Sequence, residues 1–350
     1  MSLRVLVPGG YGVFGRLLVR GLLETTEAHI VIAGRDVRRA ERARRELGSL
    51  DRTEALALDL SDVDAFERAA RNCFAVACAA GPFQLLPREL PLAAARAGAH
   101  WLDIADDPGW VVPILRDGAL GREAAERGVT VIPGLSSVPA VSGLLGRWAH
   151  ARLPSADRGR VILFIGNRNE KGAGATASAI LARFRDPAWV ELPFGRKRAY
   201  RFPTPDEELF RRDLGVEAEF RVALEWGYLG WLTATLGGAT TRLGTTRQAS
   251  LSRALSRISK PFSFLGTDAG CVQVDLWSDG GDGISVAAVA GQPIVILPCA
   301  IALRTLLEGG LTATGVAHPA SWLDRDDYLA RLEARGVRFL VRSAGPRARP

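Results

Sequence analysis

Lysine is almost missing from this chain of 350 residues: it stands only at Lys171, Lys197 and Lys260, and arginine carries nearly all of the positive charge. The arginines are spread along the chain without interleaved aromatics, which excludes the stacking platforms that bind nucleic acid. The net charge of +7 then suits attraction of an anionic small molecule or cofactor. Long hydrophobic runs are missing too. The best candidate for a span, 284–307, is broken by Gln292, Pro293, Pro298 and Arg304, so no integral membrane segment is expected. A glycine turn already begins at Gly9, which leaves no room for a signal peptide and points to a cytoplasmic protein. Cysteine is sparse. Cys73, Cys78, Cys271 and Cys299 sit in apolar surroundings with no C-x-x-C or His–Cys spacing. They read as buried free thiols, and no metal site is expected. Internal repeats and low-complexity linkers are absent as well.

What is present starts at residues 3–24. Leu3 to Val7 is an apolar run suited to a buried parallel strand, and Gly9-Gly10-Tyr11-Gly12-Val13-Phe14-Gly15 follows at once. Val13, Leu17, Leu18, Leu22 and Leu23 then recur at helical spacing, with Arg16, Arg20 and Glu24 opposite. Strand, glycine turn and helix together form the context of a dinucleotide-binding fingerprint. Gly10 allows the tight turn, Gly12 lets the backbone approach a pyrophosphate, and Gly15 lets the helix pack close to the strand. The helix N-terminus offers free N–H groups to the phosphates. The whole turn, from Gly9 to Gly15, is assigned to cofactor binding.

The pattern continues with strands expected at 29–33, 55–58, 74–80, 100–104 and 129–132. Helices are expected at 37–48, at 61–71 with Ser61 as N-cap, at 88–97, and as one helix over 109–127. This alternation predicts an α/β fold with a doubly wound parallel sheet. At Pro133 to Pro139 the regime changes. A helix over 139–150, a strand over 161–166 and a small-residue turn into a helix over 172–184 follow, and 186–228 is mixed. Residues 272–276 and 284–289 form a hairpin around a glycine-rich loop. A last apolar helix spans 298–308, and a helix and terminal strand fall within 323–342. The basic amphipathic stretch 248–264 suits a membrane surface, a core or a dimer partner. Its narrow, proline-broken apolar face favours the latter two, and a homodimer is expected.

The residue after the second strand selects the cofactor. An acid there would bond the ribose 2′-OH of NAD, but the position is Arg35, whose guanidinium pairs with the 2′-phosphate of NADP(H). Asp36 follows directly and can still accept from a hydroxyl. Asp59 and Leu60, at the end of the third strand, are placed to meet the adenine edge, or Asp59 caps the next helix. Ala80, Gly81, Pro82 and Phe83 put small residues where a nicotinamide ring approaches the backbone. Asp103 ends the fifth strand, on the side where open α/β sheets bind ligands. It is the candidate for proton transfer or for holding a substrate ammonium, the alternative being a helix cap.

GGYGVFG, AGRD, LDLSD, CAAGPF, HWLDIADD and PGLSSVP together resemble the NADP-binding domain of the saccharopine dehydrogenase-like family. The run from Leu297 to Phe339 resembles the C-terminal part of those proteins. The resemblance implies a Rossmann domain over 1–135, a second α/β (α+β) substrate and dimerisation domain inserted over 136–300, and a C-terminal segment, 301–350, packing back on the first. It implies hydride transfer between NADP(H) and a small C=N or C–N substrate, extending to C=O or C=C. Members acting on saccharopine carry an aspartate in the loop matching 134–139, whereas this chain has Ser136 and Ser137, which points away from an amino-acid substrate. These serines, with Thr176 in the small-residue turn 172–176, are the candidate substrate contacts.

Two rival classes remain to be weighed. Extended short-chain dehydrogenases use a tyrosine with a lysine four residues on, and none of Tyr11, Tyr200, Tyr228 or Tyr328 has one. A non-catalytic NADP-binding sensor or assembly factor would keep the glycine turn and Arg35 but need no acid.

Overall fold

Short aliphatic runs bounded by turn residues make the strands. In a computed structural model that describes residues 3–170, 185–225 and 266–344, the chain divides into two compact units. One holds Met1–Ala140 and Val295–Leu332, the other Val141–Ile294 and Glu333–Pro350.

In the first unit β1 (Arg4–Pro8), β2 (His29–Gly34), β3 (Thr53–Ala57), β4 (Ala75–Cys78), β5 (His100–Asp103) and β6 (Thr130–Ile132) alternate with helices. These are α1 (Val13–Thr25), α2 (Val37–Leu47), α3 (Val63–Ala70), α4 (Leu90–Arg96), α5 (Pro108–Arg116) and α6 (Gly118–Glu126). A late two-residue strand, β13 (Gly315–Val316), joins the sheet beside β6. The order is β13-β6-β5-β4-β1-β2-β3, with every pairing parallel. All strand C-termini therefore leave by one edge. Val5, Leu6, Val7, Ile30, Ile32, Val76 and Leu102 are fully buried, as strands covered on both faces must be. A further helix, α9 (Leu297–Leu307), packs against α1, β4 and β5.

The second unit is built on α7 (Ser142–His150), β7 (Arg158–Ile165), β8 (Arg185–Leu192), β9 (Gly195–Arg201), α8 (Asp206–Leu214) and β10 (Glu217–Leu224). The hairpin β11 (Gly270–Trp277) and β12 (Gly283–Val289) and the terminal β14 (Arg338–Ala344) complete it. The sheet runs β14-β12-β11-β7-β10-β9-β8, antiparallel throughout except between β7 and β10.

Four differences from the sequence expectations have local causes. The single helix over 109–127 is two, because Asp117 leaves helical geometry and its carboxylate accepts the N–H groups of Ala119 and Leu120. Ser61 is not the cap of α3. Asp62 accepts from the Ala65 N–H at 2.8 Å, and a carboxylate at a helix N-terminus is favoured by the dipole. The mixed region 186–228 contains the hairpin β8–β9, α8 and β10. Finally, the 301–350 segment does not pack back on the first unit as a whole: β14 bonds along β12 in the second sheet. The stretches 172–184 and 248–264, and with them Thr176, lie outside the described residues. All four cysteines are buried and unpaired. Among the described residues no helix is long and apolar enough to cross a membrane.

The second unit buries an acid that has no cation among its bonded partners. Asp206 opens α8, is 1% exposed, and accepts from the Ser142 hydroxyl at 2.5 Å and the Thr204 hydroxyl at 3.0 Å. Burial pushes its carboxyl from 3.8 up to about 6. Between those pH values the folded protein holds a proton that the unfolded chain has lost, so this group's contribution to stability falls as pH rises toward 6 and is flat above it. Asp206→Asn mimics the protonated form. It should match wild type near pH 4 and exceed its stability at pH 8 by at most about 3 kcal/mol. Urea unfolding across that range checks this, and an equal difference at both ends would show that Asp206 does not titrate there.

Candidate cofactor and active site

The cradle begins where β1 meets α1. Gly9, not Gly10, takes the left-handed conformation (φ 75°), and its carbonyl accepts the Gly12 N–H at 2.8 Å. A Cβ on Gly9 would lie 2.7 Å from Ala80 Cα in the loop after β4. At Gly15 a Cβ would run into the Gly9 carbonyl, so the close approach of α1 to the turn requires glycine. Gly12 is the N-cap of α1; it offers no side chain, and the first turn contains no acidic residue. The N–H groups at this helix end are thus left for an anion. The left-handed residue of the turn is Gly9, one position before the one expected for the tight turn.

Next to the turn, Arg35 leaves the end of β2 exposed to solvent. Asp36 is occupied: its Oδ1 accepts the N–H groups of Arg38 at 3.0 Å and Arg39 at 3.1 Å, which makes it the N-cap of α2. At the end of β3, Asp59 is exposed and accepts the Ser61 N–H at 3.0 Å. That bond, the Ser61 hydroxyl and, more weakly, Arg35 hold its carboxyl below the ordinary 3.8. Leu60 is 7% exposed and faces the core, so only Asp59 of that pair is open to a ligand. After β4, Ala80, Gly81 and Pro82 are reachable, with a cis bond between Gly81 and Pro82, while Phe83 is buried against Trp110 with ring centroids 5.6 Å apart.

Asp103 is placed differently from its expected part in proton transfer. It is 0% exposed. Oδ1 accepts the Gly134 N–H at 2.8 Å and the Ala105 N–H at 3.0 Å, and Oδ2 accepts the indole N–H of Trp101 at 2.8 Å and of Trp110 at 2.9 Å. Burial pushes its carboxyl up, and the four N–H groups pull against that shift. With two donors on each oxygen, no lone pair is left for a substrate. The residue ties the loops after β5 and β6 to α5, so it positions the edge and does not touch a ligand.

The residue that sequence reasoning passed over is Asp106, three positions on. The residue is exposed just past the strand end, and desolvation of its carboxyl by the surrounding protein, with a smaller part from the like charge of Asp107, pushes that group up. The available signal was the pair Asp106-Asp107 just past the strand end. Ser136 and Ser137, in the loop after β6, are both 4% exposed. Along this one edge of the first unit lie the glycine turn, Arg35, Asp59, residues 80–82, Asp106 and the serine loop.

Residues 4–78, β1 through β4, match the KR domain family. No curated protein matches the chain. Among solved structures it is similar to the apo histidine-tagged saccharopine dehydrogenase (L-Glu forming) from Saccharomyces cerevisiae, with TM-score 0.64 and 14% identity over 98% of this chain and 100% of that one. It is also similar to C. glutamicum DAP dehydrogenase in complex with DAP, with TM-score 0.44 and 14% identity over 94% and 99% of the two chains. For GenD2 from gentamicin A biosynthesis in complex with NAD the TM-score is 0.45, again at 14% identity, over 98% and 97%. The yeast match shows that the chain has a saccharopine dehydrogenase fold: a parallel Rossmann-type sheet and a second, mixed sheet.

The network around Asp103 makes a stability prediction. In Asp103→Asn one oxygen keeps two donors, but the new NH2 faces two N–H groups. Two buried donors left unmatched should cost about 2–5 kcal/mol. Urea unfolding of the variant measures this, and an unchanged midpoint would show that the four bonds do not hold the edge together.

Proposed function

We propose that the chain is an NADP-dependent oxidoreductase transferring hydride between NADP(H) and a small C=N or C–N substrate. The observation that carries the cofactor choice is the division of labour at the end of β2. The acid that would read a free ribose 2′-hydroxyl, Asp36, is engaged as a helix cap, while Arg35 stands free beside it. A guanidinium there matches a 2′-phosphate in charge and geometry. The glycine cradle and the open N-terminus of α1 take the pyrophosphate, since a Cβ at Gly9 or Gly15 would fill the space that lets the loops close up. When bound, the cofactor supplies or accepts the hydride.

The chain's own chemistry is proton handling. Asp106 reaches solvent and carries a carboxyl raised to about 6, so it can hold or release a proton near neutral pH. It would protonate the substrate nitrogen or oxygen in reduction and take that proton back in oxidation. Asp103 holds the Ala105 N–H beside it and so fixes where the carboxylate stands. The yeast protein of the same fold is a saccharopine dehydrogenase of the L-Glu-forming type, which supports a C–N bond as the reacting centre. An open, perturbed acid at the edge favours an enzyme over a sensor, which needs none.

Cofactor fluorescence titration tests the first half. Wild type should bind NADPH more tightly than NADH. Arg35→Ala should weaken NADPH by about tenfold to a hundredfold, the worth of a charged hydrogen bond, and leave NADH within a few-fold. Equal loss for both nucleotides would mean that Arg35 supports the fold and reads no phosphate.

The second half needs turnover. A panel of 2-oxo acids with primary amines, and of simple aldehydes and ketones, is screened for NADPH oxidation. On any substrate found, kcat/KM for reduction should fall as pH rises through about 6, because the acid form of Asp106 is lost. Oxidation should show the opposite limb. Asp106→Asn should remove both limbs while binding NADPH normally; a variant with wild-type turnover and profile would sink the assignment.

A further inference from the structure

The glycine turn carries one side chain with no part in the cradle described above. Tyr11 lies between Gly10 and Gly12, and its ring rests on Gly34 at the end of β2: a Cβ on Gly34 would overlap Tyr11 Cε1. On this ring sits a second arginine. The guanidinium carbon of Arg39, in the first turn of α2, is 4.7 Å from the Tyr11 centroid. Arg39 is exposed, and among the described residues it and Arg35 donate to no carboxylate. Two other arginines of α2 are committed, whereas Arg38 and Arg42 are exposed like Arg39 but sit on no ring among the described residues. Arg44 bonds Glu41 and the carbonyls of Thr53 and Leu50, and Arg45 bonds Glu41. The uncommitted guanidinium held by a ring is thus the one above the β2 end, where Arg35 leaves the sheet.

We propose that Arg39, held on the face of Tyr11, is a second specificity residue for the 2′-phosphate, and that Tyr11 is its positioning residue. This rests on the NADP reading given above. A phosphate monoester carries close to two negative charges and three acceptor oxygens, more than one guanidinium can satisfy. Arg35 approaches from the strand end and Arg39 from the helix. The Asp36 carboxylate, bonded to the Arg39 N–H at 3.1 Å, fixes the backbone from which that side chain springs. Stacking removes much of the freedom that an exposed arginine otherwise loses on binding, so the cation is preorganised toward its anion.

The test is binding, with NADPH and NADH, and with adenosine 2′,5′-bisphosphate and adenosine 5′-monophosphate as fragments. Arg39→Ala should weaken NADPH and the bisphosphate by about tenfold while leaving NADH and the monophosphate within about twofold. Arg38→Ala, which removes the same net charge one residue away, should change the NADPH-to-NADH ratio far less. Tyr11→Phe keeps the ring face and should bind as wild type. Tyr11→Leu should lose roughly two- to fivefold for NADPH, and that loss should vanish in the Arg39→Ala background. The preference should narrow with rising salt. An Arg39→Ala variant that folds normally and keeps the wild-type NADPH-to-NADH ratio overturns the proposal, as does an equal effect from Arg38→Ala. Failure of the underlying reading looks different: wild type itself would show no preference for the 2′-phosphorylated ligands.

Discussion

The ligand edge of the first unit depends on a buried carboxylate that, among the described residues, meets no cation. Asp103 is surrounded by four N–H groups, two from backbone loops and two from indoles. A charge taken out of water is costly unless its lone pairs are matched, and here all the in-plane positions are used. Breaking any one bond leaves either a bare donor or a bare acceptor inside the protein. The loops after β5 and β6 are therefore pinned by an energetic demand that apolar packing alone would not make. Trp110, held by the same oxygen as Trp101, in turn backs Phe83, so the pinning extends to the loop after β4.

On the other side of the sheet centre the constraint is steric. Gly9 touches the loop after β4, Gly15 touches Gly9, and Gly34 touches Tyr11. Each contact is backbone or ring against a missing side chain. Such contacts cost little to keep, but they fix distances to within a methyl group. A polar hub at Asp103 and a steric stack at the glycine turn thus hold the two halves of one edge, and the exposed groups, Arg35, Asp59 and Asp106, stand on loops that cannot wander far. Function-bearing residues on rigidly held loops are what a parallel sheet provides at its C-terminal edge.

The parts legible in the sequence were those governed by local pattern. β1 to β6 are short aliphatic runs, and the glycine turn carries its own strand and helix context; these read directly. The break at Asp117 was legible in principle, as Asp-Gly after a helical run, but the periodicity on both sides masked it. β13 is two residues long and pairs across nearly 200 positions with β6, so no local pattern could announce it. The hairpin β8–β9 alternates charged and apolar residues on an edge and resembles loop by composition. β14 reads as a terminal strand, but its partner is set by long-range pairing with β12, which periodicity does not encode. Among site residues, the exposure of Arg35 was legible because it stands directly after a strand end. Asp103 was legible as important and misread in kind, because burial and four donors are tertiary facts.

Asp103 and Asp106 show why a carboxylate's role cannot be taken from its place on a strand alone. They are three residues apart. Both carboxyls are pushed upward by the protein around them. What separates them is access and partners: one is closed off and fully bonded, the other open to solvent with a like charge beside it. A group that exchanges protons must meet its partner and leave its own bonds unsaturated in at least one state. Asp103 fails both conditions, which is why the proton-handling role is proposed for Asp106. The same logic holds at β2, where Asp36 and Arg35 are adjacent and both charged. One oxygen of the aspartate is engaged by the helix it starts, and this favours the arginine as the group proposed to meet the ligand. In each pair one side chain is engaged by the protein's own N–H groups, and that is the reason for proposing the other as the ligand-facing group.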